Sequence, residues 1–421
     1  MIKRLCSFLF LVCTIHSASA QLFFRGTLKA NREKLYHSLV KNSIQKNMSL
    51  PISDSTQENW QSAFEALLLL RYQSPWVQGK LNSAAQSMAT QSVPFQQSLL
   101  NLFNAQYPQQ FYQPVFLLWQ QTDDLKTFAM CTQYLMQCNP SANQRSEWAV
   151  VVQQKLMQYP NNAILQQLMY SILPNHTENI LPSLLPFFDK HYLKGKVLVF
   201  SFQRKNRDYP GLCMVRDANG NFVTDSNGNY FNVPQLARSL SNMPGYISNG
   251  NTAQGIFRMD GYDVSRAAFI GPTVNVQLSM PFERNARHFY ADSTITDTTW
   301  DIKYYRNLLP ASWQNYYPIF QSYYAGKAGR TEIIIHGSTV NPQYYAGQAY
   351  YPLTPTNGCL TSKEYWDEAT GVRTQSDQQL LINALIKAGG PRGYAIVIEL
   401  NDEQRAVSLQ DILPLIKKAQ P

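Results

Sequence analysis

The chain has 421 residues, a formal net charge of +9 and only 15% charged residues. No run of Lys or Arg occurs, so a nucleic-acid partner, which needs a dense basic face, is excluded. The length allows two or three domains with cores of their own, and the mildly basic balance suits anionic envelope polymers as well as ordinary solubility.

Residues 1–20 read as a signal peptide. Lys3 and Arg4 make a basic start, Leu5 to Ile15 is almost wholly apolar, and Ala18-Ser19-Ala20 supplies small residues for cleavage after Ala20. The expected location is therefore the periplasm or cell envelope. No later stretch approaches the ~20 apolar residues of a membrane span, so none is expected.

From residue 21 to 190 the pattern is helical. Leu125, Phe128, Ala129, Thr132, Leu135 and Met136 fall on one helix face, with Asp123 and Asp124 at its start. Trp148, Val151, Val152 and Leu156 form a second stripe, opened by Ser141. Prolines at 75, 94, 108, 114, 140, 160 and 174 punctuate the region at intervals of about one helix. An antiparallel all-α array is predicted, without a chemical motif, that docks other envelope proteins or spaces the chain.

The period changes near Gly195, and the two halves are expected to separate between Lys190 and Gly195. Lys196 to Phe202, Gly255 to Met259, Val274 to Met280, Glu332 to Ile335 and Tyr394 to Leu400 read as strands, with Gln375 to Lys387 as a helix. Asp217 to Asn221 and Asp225 to Asn229 read as Asn-Gly hairpin turns rather than calcium loops, since the glycine precedes the third oxygen ligand. The fold class is α+β: an N-terminal helical array, then a mainly-β domain over 195–421 ending in a helix.

Of the cysteines, Cys131, Cys138, Cys213 and Cys359 follow the leader. Cys131 and Cys138 lie two helical turns apart, ~10 Å of rise, too far to bridge. No His/Cys spacing suggests zinc, so neither metal nor cofactor is expected.

Chemistry concentrates in Ile333-Ile-Ile-His336-Gly337-Ser338 and Thr354-Pro-Thr356-Asn357-Gly358-Cys359-Leu360. A cysteine nucleophile needs a base to form thiolate, and imidazole has a suitable pKa. A glycine before the nucleophile lets backbone amides converge on an oxyanion. Between the two motifs lie Tyr344-Tyr345 and Tyr350-Tyr351, which read either as an aromatic lid over substrate or as packing under a long loop.

These motifs resemble the L,D-transpeptidase (YkuD-like) catalytic domain of peptidoglycan enzymes. Thr252-Ala-Gln-Gly255 and Met280-Pro-Phe282 are similar to two further segments of that domain, in the same order. The resemblance implies Cys359 as nucleophile, His336 as base, and an oxyanion turn around Gly358 and Cys359 with Thr356, Asn357, Gly337 and Ser338 beside it. It implies peptidoglycan stem peptides as substrates, acylated on Cys359 and passed to an amine or to water. Three positions depart from the pattern: Asn357 replaces a histidine, Thr361 replaces Arg or Asn, and the His336-to-Cys359 spacing is long. Those departures motivate a rival reading, a catalytically silent wall-binding or scaffold protein that keeps the fold.

Overall fold

The computed structural model describes residues 21–173, 180–292, 294–295 and 300–420; the predicted leader lies outside the described residues. Helix α1 (Lys29–Ser38) runs into a π-helical stretch, Leu39–Lys46. There follow α2 (Gln57–Leu70), α3 (Pro75–Ser87), α4 (Val93–Gln106), α5 (Tyr112–Gln121), α6 (Leu125–Met136), α7 (Ala142–Gln158) and α8 (Ala163–Ile172). The start signals are local. Pro75 and Pro94 occupy the first turns of α3 and α4, where a missing N–H goes unnoticed. Asp124 caps α6 by accepting the Thr127 N–H at 2.7 Å, and Ser141 and Gln144 close a capping box on α7.

The apolar stripes meet in one core that includes Trp60, Phe64, Leu99, Phe103, Phe128, Leu135 and Trp148. That core does not stop at the change of period. Met243, Tyr246 and Ile247, from a loop of the β half, belong to it. The Asn104 side chain donates to the Ser241 carbonyl at 3.0 Å, and Gln133 donates to the Tyr246 hydroxyl at 2.6 Å.

After the short α9 (Leu185–Phe188) come strands β1 (Val197–Gln203), β2 (Gly211–Arg216), β3 (Val233–Leu236), β4 (Gly255–Val264) and β5 (Val274–Ser279). Short helices α10 (Ala286–Tyr290), α11 (Ile302–Asn307) and α12 (Gln321–Lys327) precede β6 (Ile334–His336), β7 (Leu360–Ser362), β8 (Glu364–Trp366) and β9 (Arg373–Ser376). Helix α13 (Asp377–Lys387), β10 (Gly393–Glu399) and α14 (Leu409–Ala419) complete the described chain. Eight strands close a barrel in the order β1-β10-β4-β5-β6-β7-β3-β2, while β8 and β9 form a separate pair. The β1–β10 and β6–β7 joins are parallel and the rest antiparallel.

Alternation along the strands divides two cores. Val197, Val199, Cys213, Phe257, Val276, Ile335, Leu360 and Val397 share the barrel interior with Leu381 and Leu385 of α13. Leu198, Phe200, Phe202, Ile256 and Ile396 face outward, under an aromatic layer that includes Phe289, Tyr305 and Trp313. The chain is thus mixed α+β, with a closed eight-stranded barrel behind a helical array. Both Asp-Asn-Gly segments are tight turns in which the aspartate accepts from its own loop: Asp217 takes the Asn219 and Asn221 N–H groups, and Asp225 those of Asn227 and Asn229.

Candidate active site

The register of β6 on β7 pairs Ile335 with Leu360 and His336 with Thr361. Ile335 and Leu360 turn into the barrel core, so the strand positions next to them, His336 and Thr361, face the other way. His336 thus ends β6, and Cys359 immediately precedes β7, its parallel neighbour.

His336 is 2% exposed. Its Nδ1 lies 2.5 Å from the carbonyl of Gly337. A carbonyl only accepts, so Nδ1 must carry the proton and Nε2 keeps its lone pair. Burial pulls the imidazole pKa down to about 4, against the opposing pull of the Gly337 carbonyl. The ring is neutral at pH 7, the form a base requires.

Cys359 is partly exposed. Its thiol lies 3.6 Å from the Glu332 carbonyl. Among the described residues no hydrogen bond joins it to His336. Desolvation raises its pKa, and the Glu332 charge adds to that, while the Ile334 N–H and the Arg330 guanidinium act in the opposite direction. Cys131, Cys138 and Cys213 are also free, and burial raises all three with no guanidinium to oppose it.

Sequence reasoning missed Arg330, a 4% exposed side chain. It donates to the carbonyls of Gly245, Asn251 at 2.7 Å, Gly250 at 2.7 Å and Gly358 at 3.4 Å. It thereby clamps the 245–251 loop under the nucleophile turn, and its charge lies against the thiol. Gly358 has to be glycine: its φ is +113°, and a Cβ there would sit 2.0 Å from an Arg330 nitrogen and 2.5 Å from the Gly250 carbonyl oxygen.

The four segments quoted from the sequence converge here. Thr252 donates its hydroxyl to the Gly358 carbonyl at 2.8 Å. Past the Met280-Pro-Phe282 segment, Glu283 takes the Met280 N–H at 2.9 Å and the Glu332 N–H at 3.0 Å. Glu332 itself has φ +63°, a costly conformation for a side chain with a Cβ, and that backbone aims its carbonyl at the thiol. Glu283 and Glu332 also escaped the sequence reading.

The turn residues take varied parts. Thr356 accepts the Gly358 N–H at 3.1 Å and donates to the Cys359 carbonyl at 3.1 Å. Of the two amides expected to hold an oxyanion, the Gly358 N–H is thus engaged, while no described partner takes the Cys359 N–H. Asn357 is exposed. Ser338 accepts from Thr354 at 2.7 Å, tying the ends of the long loop together. Gly337 faces the Glu364 carboxylate, which a Cβ would meet at 2.2 Å. Thr361 is buried and donates to the Thr354 carbonyl at 2.9 Å.

The tyrosine pairs are mostly packing. Tyr345 and Tyr350 are 1% exposed, clustered with Leu236, Val340 and Leu353, and Arg238 lies 4.8 Å over the Tyr350 ring. Tyr344 meets Tyr36 of α1 at 6.1 Å between centroids. Tyr351 is the most exposed of the four, at 41%, and its hydroxyl accepts from Gln343 at 3.0 Å.

Among the described residues no helix is long and apolar enough to cross a membrane, and no group of three or more His, Cys, Asp or Glu could hold a metal. Compared with models of known protein families, with curated proteins and with solved structures, the chain matches none.

Proposed function

We propose that the protein is an exported, L,D-transpeptidase-like cysteine acyltransferase acting on peptidoglycan stem peptides. The observation that supports this reading is the β6–β7 ladder, whose register brings His336, with its proton on Nδ1, near the Gly358-Cys359 turn that leads into β7. In turnover the thiol leaves the Glu332 carbonyl and gives its proton to His336 Nε2. The sulfur then bonds the carbonyl carbon before the terminal D-residue, with the developing oxyanion at the Cys359 N–H. The C–N bond breaks, the departing amine takes the proton back from the imidazolium, and a thioester remains. An acceptor amine, or water, releases the acyl group and restores the thiol.

Incubating the full chain with muropeptides and measuring its mass tests this. The expected result is an acyl adduct on Cys359, lost in Cys359→Ala and strongly reduced in His336→Ala. An adduct on another residue, or none, sinks the assignment. The rival reading, a silent wall-binding protein, draws on the thiol's present contact with Glu332 instead of His336; it requires muropeptide binding without any adduct.

A further inference from the structure

Glu364, in β8, is a titratable group that the proposed chemistry leaves unused, and its side chain is wholly buried. Strand β8 alternates: Glu364 and Trp366 turn inward while Tyr365 is exposed. Both inward side chains reach the loop that follows the base. Trp366 Nε1 donates to the Ser338 carbonyl at 3.1 Å. The Glu364 carboxylate lies so close against Gly337 that a Cβ there would stand 2.2 Å from both its Cδ and its Oε2, an approach that only glycine leaves open.

The two carboxylate oxygens have different surroundings. Oε1 accepts the Ser376 hydroxyl at 2.6 Å, the Thr273 hydroxyl at 2.7 Å and the Arg373 guanidinium at 3.4 Å. Oε2 is sealed from solvent and makes no full hydrogen bond. Burial pushes the carboxyl pKa up, while the two hydroxyls, Arg373 and the backbone N–H of Ser338 hold it down. That N–H and the Gly337 carbonyl belong to one planar peptide unit, and in a trans peptide they point to opposite sides. The carbonyl meets His336 Nδ1. A single peptide thus stands between a buried carboxylate and the imidazole.

We propose that Glu364 is a positioning residue for His336, acting through the Gly337–Ser338 peptide: the carboxylate takes the N–H end of that unit and the imidazole the C=O end. The inference deepens the acyl-transfer reading, and its catalytic consequence rests on that reading. A negative charge at the N–H end polarises the peptide and makes the carbonyl a better acceptor for Nδ1–H. The proton stays on Nδ1, and Nε2 keeps its lone pair for the thiol. The imidazolium that forms in turnover gains a counter-charge without direct contact. Glu364 itself exchanges no proton.

The test is nitrogen NMR of the full chain at pH 7, labelled at histidine, with Glu364→Gln as the variant. A glutamine must turn its oxygen toward Ser376, Thr273 and Arg373, which leaves its NH2 against the Ser338 N–H, donor to donor. In the unsubstituted protein His336 is expected wholly as the Nδ1–H tautomer. In Glu364→Gln the Nε2–H tautomer should appear, and acylation of Cys359 by muropeptides should slow about tenfold. If the glutamine form does not fold, Glu364→Asp keeps the charge beside Arg373 but draws back from Gly337; it should show the same tautomer change to a smaller degree. A folded variant of either kind with His336 still wholly Nδ1–H overturns the proposal. The two readings fail separately. A tautomer change without any Cys359 adduct in the unsubstituted protein keeps the hold of Glu364 on His336 and removes the acyl transfer. An adduct alongside an unmoved tautomer keeps the chemistry and removes Glu364 from it.

Discussion

At the scale of single residues, the two reactive groups rest in neutral forms, and each makes a prediction about pH. Burial raises the Cys359 thiol above its ordinary 9.0. Alkylation of Cys359 in the free protein should therefore climb about tenfold per pH unit from 6 to 9. A plateau below pH 7 would show a thiolate already stabilised before substrate arrives. His336 works in the other direction. Its folded pKa, about 4, lies below the 6.5 of an exposed imidazole, so the unfolded state binds the proton first. The stability it contributes is complete above pH 6.5 and is lost as pH falls toward 4, by roughly 1.4 kcal/mol per unit. Urea midpoints at pH 7 and 4.5 should differ less in His336→Gln than in the unsubstituted protein. Equal differences would mean that the ring titrates normally. Cys213, buried in the barrel core, offers the control: Cys213→Ala should cost ~1 kcal/mol and leave any turnover intact.

Elements show which features a sequence can announce. Strands β1, β4, β5 and β10 and helices α6, α7 and α13 lie where periodicity put them, because each is long enough to repeat its pattern. Strand β7 is three residues and β3 carries Pro234, so neither has a period to read. The helices α10 to α12 are short and aromatic, held by packing rather than propensity. His336 and Cys359 were visible because each ends a local motif. Arg330 was not, since the carbonyls that define its role come from a loop some eighty residues upstream and a turn downstream. Replacing it tests how firmly these pieces are joined. Arg330→Met should leave those carbonyls buried and unpaired and cost ~3–5 kcal/mol, seen as a lower urea midpoint and faster proteolysis within 245–251. A change below 1 kcal/mol would mean that water replaces the guanidinium.

For the whole molecule, the sequence suggested two modules meeting near Lys190 to Gly195; α9 (Leu185–Phe188) precedes that point, yet its Phe187 and Phe188 pack with the barrel's outer core. Packing adds what periodicity could not express: Met243, Tyr246 and Ile247 are buried in the helical core. Side chains that cross a module boundary tie the two unfolding equilibria together. Met243→Ala should lower stability by ~2–4 kcal/mol and shift the helical and aromatic dichroism signals together in one thermal transition. Two separated transitions, with only the helical one displaced, would mean that the modules melt independently.

Barrel closure also has a consequence in time. Strand β10 lies between β1 and β4, so the first barrel strand waits for the last before its ladder is complete. Contacts that span so much of the chain are slow to form, because loop-closure entropy must be overcome before any of them is rewarded. A nascent chain halted before Gly393 would keep two strand edges open and ready to pair with a neighbour. Synthesis must therefore deliver nearly all of this barrel before it can shelter its own edges, and until then a holding chaperone is the physical alternative to aggregation.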